Sequence, residues 1–220
     1  MYVVSSDVSL LIRQWCRRRG FFNPASEFYK DWRKDFAKEL SSIFLEFEFV
    51  DEEFLQKGIN NLTADSCLPL ISLDPVYFDP QRARGRLDFT RLVDINRQDR
   101  GMAERQGSPS SEIQFRKLQE AGLREIALVD DVIFSGSFLT KLISRLRDEY
   151  GIRVPAVYAA IGIEEGINRV KNFGCQVICL RTYASVVDEV CERDFVPGVL
   201  LSGRTLQSDH SIGMPYILPF

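Results

Sequence analysis

From residue 125 onward the chain alternates short apolar runs with amphipathic stretches: EIALVDD, SFLTKLISRLRDEYG, VPAVYAAIGI, EEGINRVKNFG and CQVICLRTY follow one another. A strand apolar at nearly every position is buried on both faces, and parallel strands need helical crossovers to connect them. The pattern therefore predicts an α/β fold built on a doubly wound parallel sheet with helices on both sides. LPLISLD (68–74) and RLDFTRLVDI (86–95) add two extended segments. SSEIQFRKLQEAG reads as a helix, with Ser110 or Ser111 as cap and Gly122 as stop. Residues 97–111, RQDRGMAERQGSPSS, have no periodicity and carry Gly, Pro and Ser, which predicts a mobile surface loop.

The first 67 residues differ in character. Val8, Leu11, Ile12 and Trp15 share one face of a predicted helix over 6–19. It ends in Arg17, Arg18 and Arg19, where cations complement the helix dipole, and Gly20 stops it. Phe28, Trp32, Phe36, Leu40 and Phe44 recur at i, i+4 spacing and predict a second helix over 25–45 with an aromatic core face. FLEFEFVDEEF fits a strand or a continued helix equally. Residues 1–67 thus form an N-terminal helical segment packed on or capping a core of residues 68–220, all within one compact domain.

Composition narrows the function classes. A chain of 220 residues with 45% hydrophobic and 27% charged residues can bury a sizeable core. Its formal charge of −3 argues against general nucleic-acid binding. Five scattered cysteines with no CxxC pair fit reduced thiols, and hence a cytoplasmic setting, better than a disulfide framework. Cys175 and Cys179 read as packing residues. The single histidine, His210, sits in a polar QSDHSIG stretch and reads as a surface residue, so histidine-based zinc or serine-protease chemistry is hard to assemble. The N-terminus is too polar for a signal peptide, and no apolar run approaches the ~20 residues of a membrane span.

IALVDDVIFSGSFL (126–139) carries the chemistry. An apolar run ends in Asp130 and Asp131, and after Phe134 the small residues Ser135, Gly136 and Ser137 open a helix. Two acids beside a buried strand are costly unless something uses them. Open α/β sheets bind ligands beyond the carboxyl ends of their strands. A helix start offers unpaired N–H groups and a positive dipole end to a phosphate. The carboxylates suit sugar hydroxyls, or water on a bound Mg²⁺. Together these features imply a sugar-phosphate ligand.

The stretch resembles the signature of the type I phosphoribosyltransferases, roughly hhhhDDxxxTGGT, here IALVDDVIFSGSF. The resemblance implies that Asp130 and Asp131 meet the ribose hydroxyls of phosphoribosyl pyrophosphate (PRPP), directly or through Mg²⁺, and that Phe134, Ser135, Gly136, Ser137 and Phe138 wrap its 5′-phosphate. The order of elements fits across residues 68–185. Phe138 stands where the family places Thr or Ser, removing a charge-assisted bond worth roughly 1.5–3 kcal/mol. Phe134 stands where 6-oxopurine enzymes carry an acid. The Gly-containing pyrophosphate turn after the first core strand is replaced by PVYFDPQRARG.

Seven arginines and no lysine fall between residues 82 and 105. Arginine's fork suits phosphate. By the same resemblance Arg97, Arg100 and Arg105 belong to a lid over pyrophosphate, although a solvated loop or a subunit contact accounts for them equally well. ERDFVPGVLLSGRTL (192–206) is similar to the family's C-terminal hood, which makes Phe195 and Val196 the base-binding candidates, with Phe195 as core the plainer reading. A receiver domain would need a later Asp and Lys at strand ends, which GIEE and RTYAS lack, and no GxxxxGK[ST] loop is present. The resemblance implies transfer of ribose 5-phosphate between PRPP and a nitrogenous base with Mg²⁺, by a homo-oligomer, a dimer. The alternative is a non-catalytic PRPP- or nucleotide-binding regulator on the same fold.

Overall fold

Five parallel strands carry the core: β3 (Leu70–Ser72), β4 (Gly85–Arg86), β7 (Glu125–Ile133), β8 (Arg153–Ile163) and β9 (Gln176–Tyr183), in the order β4-β3-β7-β8-β9. The computed structural model describes residues 1–74, 76–93, 99–105, 107–195, 204–208 and 211–215. Helices α4 (Ser111–Glu120), α5 (Ser137–Tyr150) and α6 (Glu164–Asn172) pack through Phe115, Leu142, Leu146 and Val170 on the face that Ile126 and Leu128 present. Helices α1 (Val8–Arg19) and α3 (Glu52–Leu62) pack Leu11, Leu55 and Ile59 on the opposite face, where Ala127 and Val129 point. Both faces of β7 are therefore buried, which is why its apolar residues do not alternate with polar ones. The α/β reading of the sequence matches this architecture.

The N-terminal 67 residues contribute more than helices. Besides α2 (Ser26–Ile43), they supply β1 (Tyr2–Ser5) and β2 (Phe47–Val50), so the segment left open in the sequence is a strand followed by α3. Strand β1 lies between β2 and β10 (Asp188–Cys191), parallel to both. The chain's first residues thus pair with residues near its far end. Glu192, which opens a short 3₁₀ turn (Glu192–Phe195), accepts the Asp7 and Val8 N–H groups at 3.0 Å each. A carboxylate from 185 residues away caps α1, a role its own Asp7 side chain does not take.

Two expectations are corrected. Residues 99–104, expected within a mobile loop, form β6 (Asp99–Glu104), an antiparallel partner of β5 (Phe89–Val93). Backbone pairing supplies the order that side-chain periodicity did not signal. This hairpin continues into a sheet with β11 (Arg204–Ser208) and β12 (Ser211–Pro215). The second correction concerns β7, which does not end at the acid pair but runs on to Ile133, because β8 pairs with it as far as Gly162.

Candidate functional site

The sheet's order reverses at one place. From β3 the chain moves outward to β4, then returns to lay β7 on the other side of β3. Ligand crevices in open α/β sheets form at such switch points. Strand β3 pairs Leu70–Ser72 with Ala127–Val129, and the last bond across the gap runs from Leu73 N–H to Val129 O at 2.8 Å. From Asp130 onward β7 has no strand partner on that side among the described residues, and the crevice opens there.

Both acids use part of their oxygen inventory on this bare edge. Asp130 Oδ1 accepts the Asp131 N–H at 3.0 Å, and Asp131 Oδ1 accepts the Val132 N–H at 2.8 Å. Their electrostatics then diverge. Burial raises the Asp130 carboxyl well above the usual range, reinforced by Asp131 and Asp74. Burial works the same way on Asp131, but the Arg193 and Arg105 guanidiniums outweigh it and hold that carboxyl below its ordinary value. Asp131 carries the negative charge, while Asp130 retains a proton more readily and can donate as well as accept.

Arg193 is the residue that sequence reasoning missed. Its side chain is 2% exposed, with Nη2 at 2.9 Å from Asp131 Oδ2 and Nη1 at 2.9 Å from Asp7 Oδ2. Its backbone N–H also donates to Asp7 Oδ1 at 2.9 Å. In the sequence it sits unremarkably in CERDF. Only the parallel pairing of β1 with β10 brings it between an acid at the start of α1 and an acid on β7.

The loop after β7 is set by two glycines. Gly136 holds φ at 72°, and a Cβ there would lie 2.7 Å from the Gly166 carbonyl oxygen. A Cβ on Gly166 would in turn collide with the Phe134 carbonyl. Residues 134–136 are thus pressed against the first turn of α6 by backbone contact, which only glycine permits. Arg169 secures the same loop, donating from Nη1 to the Ser135 carbonyl and to Ser137 Oγ at 2.7 Å each. The opening turn of α5 leaves N–H groups without intrahelical acceptors, and Arg169, itself paired with Glu165 at 3.0 Å, lies beside them.

Asp130, Asp131, Phe134, Ser135, Gly136 and Phe138 line a single cleft with about 80 Å³ of enclosed space, about 790 Å³ counting its open mouth, together with Arg91, Arg105 and Arg193. Phe138 also packs on the α5-side core. Ser137 stands next to the cleft, engaged with Arg169. Arg105, just past β6, joins the cleft, whereas Arg100 is exposed on β6 and does not line it. Phe195 does not line it either: its ring meets the Phe36 ring edge-on at 4.9 Å. Arg97, Val196 and His210 lie outside the described residues.

The turn after β3 has an unusual occupant. Asp74, 2% exposed, accepts the N–H groups of Val76 at 2.8 Å, Tyr77 at 2.7 Å and Phe78 at 3.4 Å on its own carboxylate. Successive amides turned toward one point make an anion cradle. Here the chain fills that cradle with its own acid, whose pKa burial and Asp131 raise to about 6.

No family model matches the chain, and no curated protein matches it. The solved structures it resembles include several phosphoribosyltransferases. One is an adenine phosphoribosyltransferase from Thermoanaerobacter pseudethanolicus, 11% identical over 60% of this chain and 80% of that one, with a TM-score of 0.37. Another is the Mycobacterium tuberculosis orotate phosphoribosyltransferase in complex with PRPP, 15% identical over 59% of this chain and 72% of that one, with a TM-score of 0.34. A third, a phosphoribosyltransferase from Corynebacterium diphtheriae, is 12% identical over 60% and 79%, with a TM-score of 0.34. Similarity this distant lends the chain none of their activities. Among the described residues, no helix is long and apolar enough to cross a membrane.

Proposed function

We propose that the protein binds the ribose 5-phosphate part of PRPP or of a nucleoside monophosphate in the cleft at the β3–β7 switch point. One observation carries this reading: Asp130 and Asp131 on the unpaired edge of β7 share a cleft with the Phe134–Gly136 loop that opens α5. Carboxylates that accept and donate suit vicinal hydroxyls, and helix-start amides flanked by Arg169 suit a phosphate. Arg91 and Arg105 line the same cleft and add positive charge for further phosphates.

Mg²⁺ fits this site only as an ion carried by the ligand. Among the described residues no cluster of three metal-ligating side chains exists, and Asp131 is already paired with Arg193. Magnesium keeps waters and takes its remaining oxygens from substrate phosphates, so Asp130 and Asp131 would meet it at most singly or through water. Its contribution would be neutralisation of pyrophosphate charge.

Two observations bear on catalysis in opposite senses. The arginines that share the cleft with the acids favour an enzyme that stabilises a leaving pyrophosphate. Asp74, seated on the amides after β3, favours a protein that binds its ligand as a regulator and does not turn it over, because that carboxylate repels a pyrophosphate from the turn. Calorimetry with PRPP and Mg²⁺ tests the site: wild type should bind, and Asp130→Asn/Asp131→Asn should not. Equal heats from both proteins would refute the assignment. A screen of free bases for pyrophosphate release then separates the two readings, with turnover of any base deciding for the enzyme.

A further inference from the structure

Two arginine runs that lie far apart in the sequence meet on the other side of the sheet. Arg13 and Arg17 come from α1, Arg82 and Arg86 from the segment after β3, and all four line a second cleft bounded by α1, α3 and residues 76–86. It shares no lining residue with the acid-pair cleft. Its volume is about 820 Å³, within the roughly 300–1,000 Å³ range of small-molecule sites.

Four arginines and two acids line this cleft, and one of the arginines, Arg86, is paired outside it with Asp88. The cleft's two acids, Asp74 and Asp79, both spend carboxylate oxygens on backbone N–H groups, Asp79 accepting that of Gln81 at 2.9 Å. Arg17 is exposed and makes no ion pair among the described residues. Arg82 is held in place, donating to the Asn60 carbonyl while its guanidinium lies 5.9 Å above the Phe78 ring. Arg13 reaches Ser9 at 3.2 Å and Glu52 at 3.5 Å, and remains 41% exposed. Fixed and free guanidiniums around one concave space suit phosphate oxygens. The Gln56 and Gln81 amides in the same walls are donors and acceptors of the kind a heterocycle needs.

We propose that this cleft is a second binding site, for a nucleotide carrying more than one phosphate. The phosphates sit among Arg13, Arg17 and Arg82, and the base lies toward the glutamine side. The proposal stands independently of the ribose 5-phosphate reading of the first cleft.

The test is calorimetric titration of the full chain with ATP, and separately with inorganic triphosphate. Arg17→Glu is the principal variant, because Arg17 is exposed and makes no side-chain hydrogen bond or ion pair among the described residues. It should weaken ATP binding by about tenfold or more at an unchanged melting temperature. In Asp130→Asn/Asp131→Asn, ATP should still bind and should remain sensitive to Arg17→Glu, since neither acid lines this cleft. Triphosphate should compete with ATP. A photoreactive azido-ATP should label peptides containing residues 13–17 or 76–86. Absence of ATP binding, insensitivity to Arg17→Glu, or label confined to residues 130–138 would each overturn the proposal.

Discussion

Arg193 Nη2 stands 2.9 Å from Asp131 Oδ2, joining the segment that follows β10 to the acid pair on β7. The same guanidinium reaches Asp7 at 2.9 Å, so one buried cation ties the start of α1, the β10 segment and the candidate ligand cleft together. Removing one partner of such a pair strands the others without solvent. Arg193→Met should therefore cost about 3–5 kcal/mol of stability, read from urea unfolding. Asp131→Asn should cost less, because Arg193 keeps Asp7. Similar losses from the two variants would mean that Arg193 is not the centre of this contact.

Gly166 lies in α6, where alanine would ordinarily stabilise by about 1 kcal/mol. Its Cβ would meet the Phe134 carbonyl, which cannot move without shifting the whole 134–136 loop. Gly166→Ala is expected to reverse the usual sign and destabilise by about 1–3 kcal/mol. PRPP binding should weaken in parallel. A raised urea midpoint in this variant would show that the loop is not pressed against α6.

Glu189 is 5% exposed and accepts a hydrogen bond from Ser5 Oγ at 2.8 Å. Burial, then Asp131, push its pKa up from 4.5 to about 8. Between those values the folded protein holds a proton that the unfolded chain releases, so this group's contribution to stability falls as pH rises. Glu189→Gln keeps the acceptor for Ser5 and removes the titration. Its melting temperature should match wild type near pH 4.5, then exceed it by a margin that widens up to about pH 8. A margin independent of pH would contradict this.

Asp74 satisfies three backbone N–H groups of the turn that follows β3. Asp74→Ala leaves those buried donors without an acceptor and should cost about 2 kcal/mol or more. Asp74→Asn, which keeps one acceptor oxygen, should cost less. Hydrogen exchange at Val76 and Tyr77 checks the cause: both amides should exchange faster in Asp74→Ala, and unchanged protection would assign the turn's order elsewhere.

Periodicity in the sequence was enough to predict the α/β core. Residues 125–183 declare strands by continuous apolar runs and helices by amphipathic ones, because each element's burial is fixed by its own neighbours in the chain. The acid pair and the small-residue loop were legible as a pattern because they lie together within 126–139, although contacts with Gly166 and Arg169 of α6 set the loop's geometry. Sequence periodicity could not find β6, whose order comes from pairing with β5, nor decide between strand and helix at residues 47–50, where β1 supplies the pairing.

What tertiary structure alone decided is which charges meet. Arg193, Asp7 and Asp131 are separated by up to 186 residues, and no local pattern marks them as partners. The cleft begins at Asp130 because β3 stops pairing at Val129, a property of two strands' relative lengths and absent from either alone. Local sequence settles the elements of residues 125–183 because their burial pattern is written among near neighbours in the chain. Charge pairing and cleft position depend on how distant segments are brought side by side, and only the packed sheet fixes that.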